Sequence, residues 1–330
     1  MTQEYPADPA PVPAAAPQVG YERGDAATLL AGAGTLAVFD FGPDAAALDD
    51  PRHLRVALQP LAAGPARCEA WRVAAPVDCG RDGGVRWASG GGWLFAAMEL
   101  DEAGHGGASG AAAAGYRALC AFLRTRAECH VQRLWNYLGA INDGHGDDER
   151  YRQFCEGRAR GMGDFFAEGF PAATAIGHRG PAGLLQLYCL ATTRPGTRVE
   201  NPRQLSAWRY PRQYGRTPPS FARAMRLPGG DALAISGTAA ITGHQSQHAG
   251  DLSAQLAETR ANLQALLRAG AMPGGFDARA PLKVYVRHGA DAAAVDAFLA
   301  DCMPQAPRLL LHGDICRREL LVEIDGWRYA

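Results

Sequence analysis

Residues 250–270 read GDLSAQLAETRANLQALLRAG, and residues 282–287 read LKVYVR. In the first stretch Leu252, Leu256, Leu263 and Leu267 fall on one stripe, Asp251 can cap the start and Gly270 can stop the end. That pattern predicts an amphipathic helix. The second stretch alternates as a strand does. Around them, Leu233–Ile241 is an apolar run interrupted by Ser236, Gly237 and Thr238, Asp291–Cys302 is a second helical pattern, and Arg308–His312 and Glu319–Asp325 are strand-like. The order is strand, helix, strand, helix, strand, strand.

The preceding half repeats that order, with Trp93–Leu100, Gly110–Arg126, His130–Tyr137, Asp147–Arg160, Pro171–Ile176 and Leu184–Ala191. Matching elements at matching spacing point to an internal duplication. Strands and helices mixed in this way favour α+β sheets with helices on one face. Further strand-like runs lie at Leu36–Phe41, Leu54–Leu58 and Glu69–Val73. Laid over each other, the repeats bring Glu323 of LLVEIDG near Tyr188 of LQLYCLA. A carboxylate between Val322 and Ile324 is either buried, where its pKa rises, or on the solvent face of an edge strand.

Where one repeat hands over to the next, residues 201–230 hold six arginines and no acidic residue, in a chain of net charge −1. Trp208, Tyr210, Tyr214 and Phe221 interleave with them, and Pro202, Pro211, Pro218, Pro219 and Pro228 stiffen the segment. Guanidinium forks match carboxylates or phosphates, so this reads as a lining for an anion in a cleft between domains, or else as a solvated connector.

With 330 residues, 47% hydrophobic and 20% charged, the chain is long enough for about two domains. No run of about 18 apolar residues is present, so no membrane span is expected. Residues 1–19 carry five prolines and no basic cluster ahead of an apolar core. They read as a disordered leader rather than a signal peptide, and a cytoplasmic location is expected. The eight cysteines form no C-x-x-C pair, and there is no H-E-x-x-H, Walker loop or G-x-G-x-x-G after a strand. Gly90, Gly91 and Gly92 read as a turn before a strand. Lys283, the only lysine, is expected on a solvated strand face rather than as a catalytic amine. One short basic loop in a slightly acidic chain argues against nucleic-acid binding.

SGTAAITGH (236–244), with the helix and strand above and the VEI at 322–324, resembles the RidA (YjgF-like) fold. Longer motifs make the chain from about residue 20 similar to the chorismatases, the family that includes bacterial 3-hydroxybenzoate synthases. They are RLWNY (133–137), ERYRQFCEGR (149–158), PAATAIG (171–177), ENPRQLSAWRYPRQYG (200–215), PPSFARA (218–224) and ICRRELLVEIDG (315–326). The resemblance implies two tandem RidA-like units, residues 20–195 and 196–330, the second catalytic and carrying the arginine-rich loop. It implies a cofactor-free, metal-free enzyme that removes pyruvate from chorismate.

Carried over by motif, Glu323 looks like the catalytic acid/base. Tyr151, Arg158, Tyr210 and Arg223 look like the groups that hold substrate. Arg308, 15 residues before Glu323, is a further candidate for a carboxylate. Cys316, seven residues before Glu323, stands where 3-hydroxybenzoate-forming members tend to have cysteine and dihydrodiol-forming ones alanine. A small buried thiol would look the same. Similarity to a bifunctional branch implies 4-hydroxybenzoate as a second product, a link to pigment and ubiquinone precursors. The alternatives are a dihydrodiol-forming hydrolase, a RidA-like imine deaminase built on Arg308 and Glu323, and a non-catalytic metabolite-binding module. RidA-like domains form trimers, but two fused units can cover the same surfaces, so a monomer is expected.

Overall fold

The computed structural model describes residues 15–42, 47–61, 68–181 and 183–330. The expected leader lies outside the described residues up to residue 14. Its last residues are ordered: Ala16 is buried, and the Pro17 carbonyl accepts from the Tyr329 hydroxyl at 2.7 Å.

The chain opens with β1 (Gln18–Glu22), α1 (Ala26–Leu30), β2 (Thr35–Phe41), β3 (His53–Val56), β4 (Gln59–Pro60) and β5 (Cys68–Arg72). A first long series follows: β6 (Asp78–Asp82), β7 (Val85–Gly90), β8 (Trp93–Asp101), α2 (Gly107–Leu123), β9 (His130–Gly139), α3 (Arg150–Met162), β10 (Ala172–His178) and β11 (Leu184–Thr192). The second is β12 (Thr197–Val199), β13 (Ala224–Arg226), β14 (Ala232–Thr238), the small hairpin β15 (Ile241–Thr242) and β16 (Gln245–Ser246), α4 (Leu252–Ala269), β17 (Leu282–Val286), α5 (Ala292–Cys302), β18 (Arg308–His312), β19 (Asp314–Ile315) and β20 (Val322–Tyr329).

The expected duplication is visible in the strand order. One seven-stranded sheet contains β10-β9-β11-β8 and the other β18-β17-β20-β14, each with two helices from its own series on one face. The sheets also exchange edges: β19 pairs with β10 of the first sheet, and β4 pairs with β18 of the second. A four-stranded sheet, β1-β5-β2-β3, forms a third wall. The Gly91–Gly92 turn joins β7 to β8 with both φ positive, 61° and 78°, which suits glycine in a two-residue hairpin.

All three sheets turn one face to a common core of Phe39, Trp71, Trp135, Tyr188, Tyr285 and Trp327, among others. Trp135 stacks on Tyr188 with ring centres 4.9 Å apart. Charges are buried in this seam, so they are paired. Lys283 is 1% exposed, its Nζ lies 2.9 Å from Glu69 and its ammonium sits over the Trp135 ring. This corrects the expectation of a solvated face, because the second face of β17 meets another sheet rather than water. Burial opposes the ammonium's charge, but Glu69 and its neighbours outweigh it and hold the pKa above its ordinary value, so Lys283 is a structural cation. Removing one partner of such a pair costs about 3–5 kcal/mol.

Candidate active site

Along β20, Val322 and Ile324 face the helices, while Glu323, Asp325, Trp327 and Tyr329 face the seam. Glu323 therefore enters the space where β14 of the second sheet meets β10 of the first. Pairing of β14 with β20 slips between Ile235 and Thr238, a bulge at Ser236 and Gly237. The bulge turns both residues toward β10. The Ser236 hydroxyl accepts from Ala173 N at 2.9 Å and donates to Ala222 O, and Gly237 N donates to the Thr174 hydroxyl at 3.0 Å. Strand bulges re-aim side chains beside functional sites. Here the bulge clears room for a carboxyl group: a Cβ on Gly237 would lie 1.9 Å from Glu323 Oε1. Gly237→Ala is thus expected to displace Glu323 and reduce kcat by at least about tenfold, worth 1.4 kcal/mol in the barrier. Steady-state kinetics with circular dichroism, to check retained folding, would test it.

A cavity of about 340 Å³ opens at this point. Its walls include Tyr151 and Arg158 of α3, Tyr210 and Arg223 of the basic segment, Cys316, and Glu323. Six of the seven site residues expected from sequence thus share one chamber. Helix α3 reaches it because Gly157 and Gly161 let it press onto α2: a Cβ on either would clash with Ser109 O or Ala113 O. Tyr151 and Arg158, seven residues apart, then share the cavity-facing side, about 10 Å apart along the axis. The bland reading of an exposed surface pair does not hold, since Arg158 is 3% exposed.

Arg308 is the exception. It opens β18, which is separated from β20 by β17. Its row aligns with Leu282 and Gly326, not with Glu323. It shares the helix face with Leu310, and its Nε donates to Asp296 of α5 at 2.6 Å. Two strands across is about 10 Å, and the offset along the strands is about the same. A spacing of 15 residues carries no information about sheet order or face, which is why it misled.

The electrostatics divide the site into a protonated acid and waiting cations. Burial, and next the like charge of Asp325, push the Glu323 carboxyl up to about 8, against Arg133, Arg223 and Arg287. Asp325 keeps its own charge satisfied: its Oδ2 accepts from Trp135 Nε1, the Thr174 hydroxyl and the Tyr285 hydroxyl at 3.0, 2.8 and 2.8 Å, and pairs with Arg133 at 3.1 Å. Two carboxyl groups on one strand face are thereby set apart, one ionised and one protonated near neutrality. Burial also pushes the Tyr151 phenol and the Cys316 thiol well up, with Glu323 adding to both. Cys316 is a neutral wall rather than a thiolate nucleophile.

Arg158 Nε and Nη2 are buried with no hydrogen-bond partner among the described residues, and so is Arg223 Nε. Arg223 Nη2 donates to Leu205 O at 2.8 Å and to the Tyr210 hydroxyl at 2.7 Å, which fixes the fork. Buried donors without acceptors are costly and rare, and their explanation is a missing anion.

The other arginines of the basic segment serve differently. Arg212 and Arg216 both grip Asp147, and Arg203 binds Asn262 and Glu258. The anion-lining expectation thus narrows to Arg223, with Tyr210, Tyr214 and Phe221 as walls. Sequence reading missed Arg317, which lines the same cavity over the Tyr214 ring at 4.0 Å. Its place beside Cys316 was the available signal. Gly237, in the SGT triplet, was passed over as well.

Residues 69–191 match the family model for chorismatase FkbO/Hyg5-like, N-terminal. A 3-hydroxybenzoate synthase of Streptomyces hygroscopicus is 35% identical over 276 residues, covering 78% of this chain and 80% of its own. A chorismatase of Streptomyces rapamycinicus is 38% identical over 281 residues, 78% of this chain and 81% of its own. A chorismatase crystal structure at 1.08 Å resolution superposes with a TM-score of 0.82 at 34% identity, over 97% of this chain and 99% of that one. The motifs, the strand order and these likenesses agree: the chain belongs to the chorismatase family.

Proposed function

We propose that this chain is a chorismatase that removes pyruvate from chorismate and leaves 3-hydroxybenzoate, with 4-hydroxybenzoate as a second product. The observation that carries the reading is the pairing, in one cavity, of a protonated carboxyl at Glu323 with unpartnered guanidinium donors at Arg158 and Arg223. Chorismate offers what each lacks: two carboxylates for the two guanidinium forks, and an enol ether for the acid.

Glu323 gives its proton to the methylene carbon of the enolpyruvyl group, and the C=C electron pair forms the new C–H bond. The carbon bearing the ether oxygen becomes cationic, and the glutamate carboxylate left behind stabilises it. A ring hydroxyl or a water then attacks that carbon, the ether bond to the ring breaks, and pyruvate leaves. For the hydroxybenzoate the balance is chorismate to product plus pyruvate, with no net water. For the dihydrodiol one water is added. Arg158 and Arg223 hold the dianion at a fixed angle to Glu323, which removes part of the entropic barrier. Tyr210 accepts from Arg223 and keeps its own O–H for the substrate. No step calls on a cofactor. Every wall of the cavity comes from one chain, which supports a monomer as the working unit.

Incubating the pure protein with chorismate and separating the products by chromatography tests the reading. Stoichiometric pyruvate with an aromatic acid is expected, and unconsumed chorismate refutes it. Cys316→Ala is expected to divert product toward the dihydrodiol, by opening space for water beside Glu323. An unchanged ratio of aromatic acid to diol would remove Cys316 from the account. The imine-deaminase alternative required Arg308, whose side chain lies on the opposite sheet face, and it leaves Arg158 and Arg223 without a role. A membrane-bound mode has no support, since no helix among the described residues is long and apolar enough to cross a bilayer.

A further inference from the structure

Arg287 follows the last residue of β17 and is buried, yet it is absent from the cavity wall. Its three guanidinium nitrogens make five hydrogen bonds. Nε donates to Leu320 O at 2.7 Å, Nη2 to Ile315 O at 2.8 Å and Arg317 O at 2.9 Å, and Nη1 to the Asp314 carboxylate and the Asn142 side-chain oxygen, both at 3.0 Å. Its backbone N donates to Leu321 O. Four of those five side-chain acceptors belong to residues 314–320, the stretch that carries Cys316, Arg317, Arg318 and Glu319 into the cavity.

That stretch has little regular structure of its own. Asp314–Ile315 pairs with Gly177 and Ile176 of β10, and the chain then bends until β20 begins at Val322. Carbonyls in a buried irregular segment need donors from elsewhere, and here one side chain supplies them. Asn142, from the first series, ties the same stretch by donating to Ile315 O at 3.1 Å. Arg318 reaches back to the carbonyls of Asn142 and Gly144. A lysine could make three bonds from one point, not five from a planar fork.

We infer that Arg287 is a positioning residue that sets how Cys316 and Arg317 enter the cavity, and through them which product is formed. The inference rests on the chorismate reading, which is checked first by pyruvate release from the unmodified protein. Failure there would remove the product readout and leave the loop readout below intact.

The test compares full-length Arg287→Lys with the unmodified chain. Peptide-resolved hydrogen exchange over residues 314–321 is expected to speed up by about tenfold or more, while α3 and α4 stay unchanged. With chorismate, the ratio of aromatic acid to diol is expected to fall at least about fivefold, a ΔΔG‡ near 1 kcal/mol. Millimolar guanidinium added to Arg287→Ala should restore part of that ratio, a rescue a general loss of stability would not show. Should both variants fold poorly, Asn142→Ala and Asp314→Asn remove only the partners of Nη1 and should shift the ratio the same way by less. An unchanged ratio in the folded variants overturns the inference, whether or not the loop loosens.

Discussion

Replacing Glu323 by Gln is expected to lower kcat for pyruvate release by about 10²–10⁴-fold, the usual contribution of a positioned general acid, with a much smaller change in KM. The amide keeps the shape and the burial but has no proton to give to carbon. The stability effect should run the other way. Glu323 is raised in the folded chain from 4.5 to about 8. Between those values the unfolded chain ionises this carboxyl and the folded chain resists, so the group costs stability progressively as pH rises through that window and costs none below it. Glu323→Gln should therefore match or exceed the parent's melting temperature at pH 8 while losing turnover. Loss of activity with a lower melting temperature would mean the residue is structural. A pure binding module would have no turnover to lose.

The second large effect is on substrate capture. Arg158→Ala should raise KM for chorismate by about 10–100-fold, as expected when a charge-assisted hydrogen-bonded partner worth about 1.5–3 kcal/mol is withdrawn, with a smaller loss in kcat. Arg158 is the cleaner probe because its Nε and Nη2 have no partner among the described residues, so little else is lost. Arg223→Ala should act in the same direction on KM. It also releases the Leu205 carbonyl and the Tyr210 hydroxyl, so some loss of stability should accompany it. Initial-rate kinetics over a range of chorismate concentrations separate the two parameters. Unchanged KM in both variants would mean that the unpartnered guanidinium donors await something other than this dianion.

The second half of the fold was legible because its helix stripe and its alternating strand obey simple periods, and the first half because it repeats the order. Harder to read were elements whose existence depends on partners far away in sequence. The strand β6 reads DCGRD, has no apolar alternation and stands at a sheet edge. The strand β13 lies inside the arginine-rich segment and forms by pairing with β12 and β14. Lys283 was misread because alternation shows that a strand has two faces, not whether the second meets water or another sheet. Its partner Glu69 is 214 positions away by number (283 − 69). Motif resemblance located Glu323, Tyr151, Arg158, Tyr210 and Arg223, while Arg308 failed on geometry. Gly237 and Arg287 escaped because the need for each is set by what lies across space: a carboxylate over a missing Cβ, and a set of loop carbonyls in want of donors.

The whole account turns on Glu323 carrying a proton when substrate arrives. The pH dependence of kcat/KM for the unmodified protein tests that most directly. Since the protonated form is the active one, the profile should fall tenfold per pH unit above about 8. A profile that stays level or climbs from pH 8 to beyond 9 would contradict it.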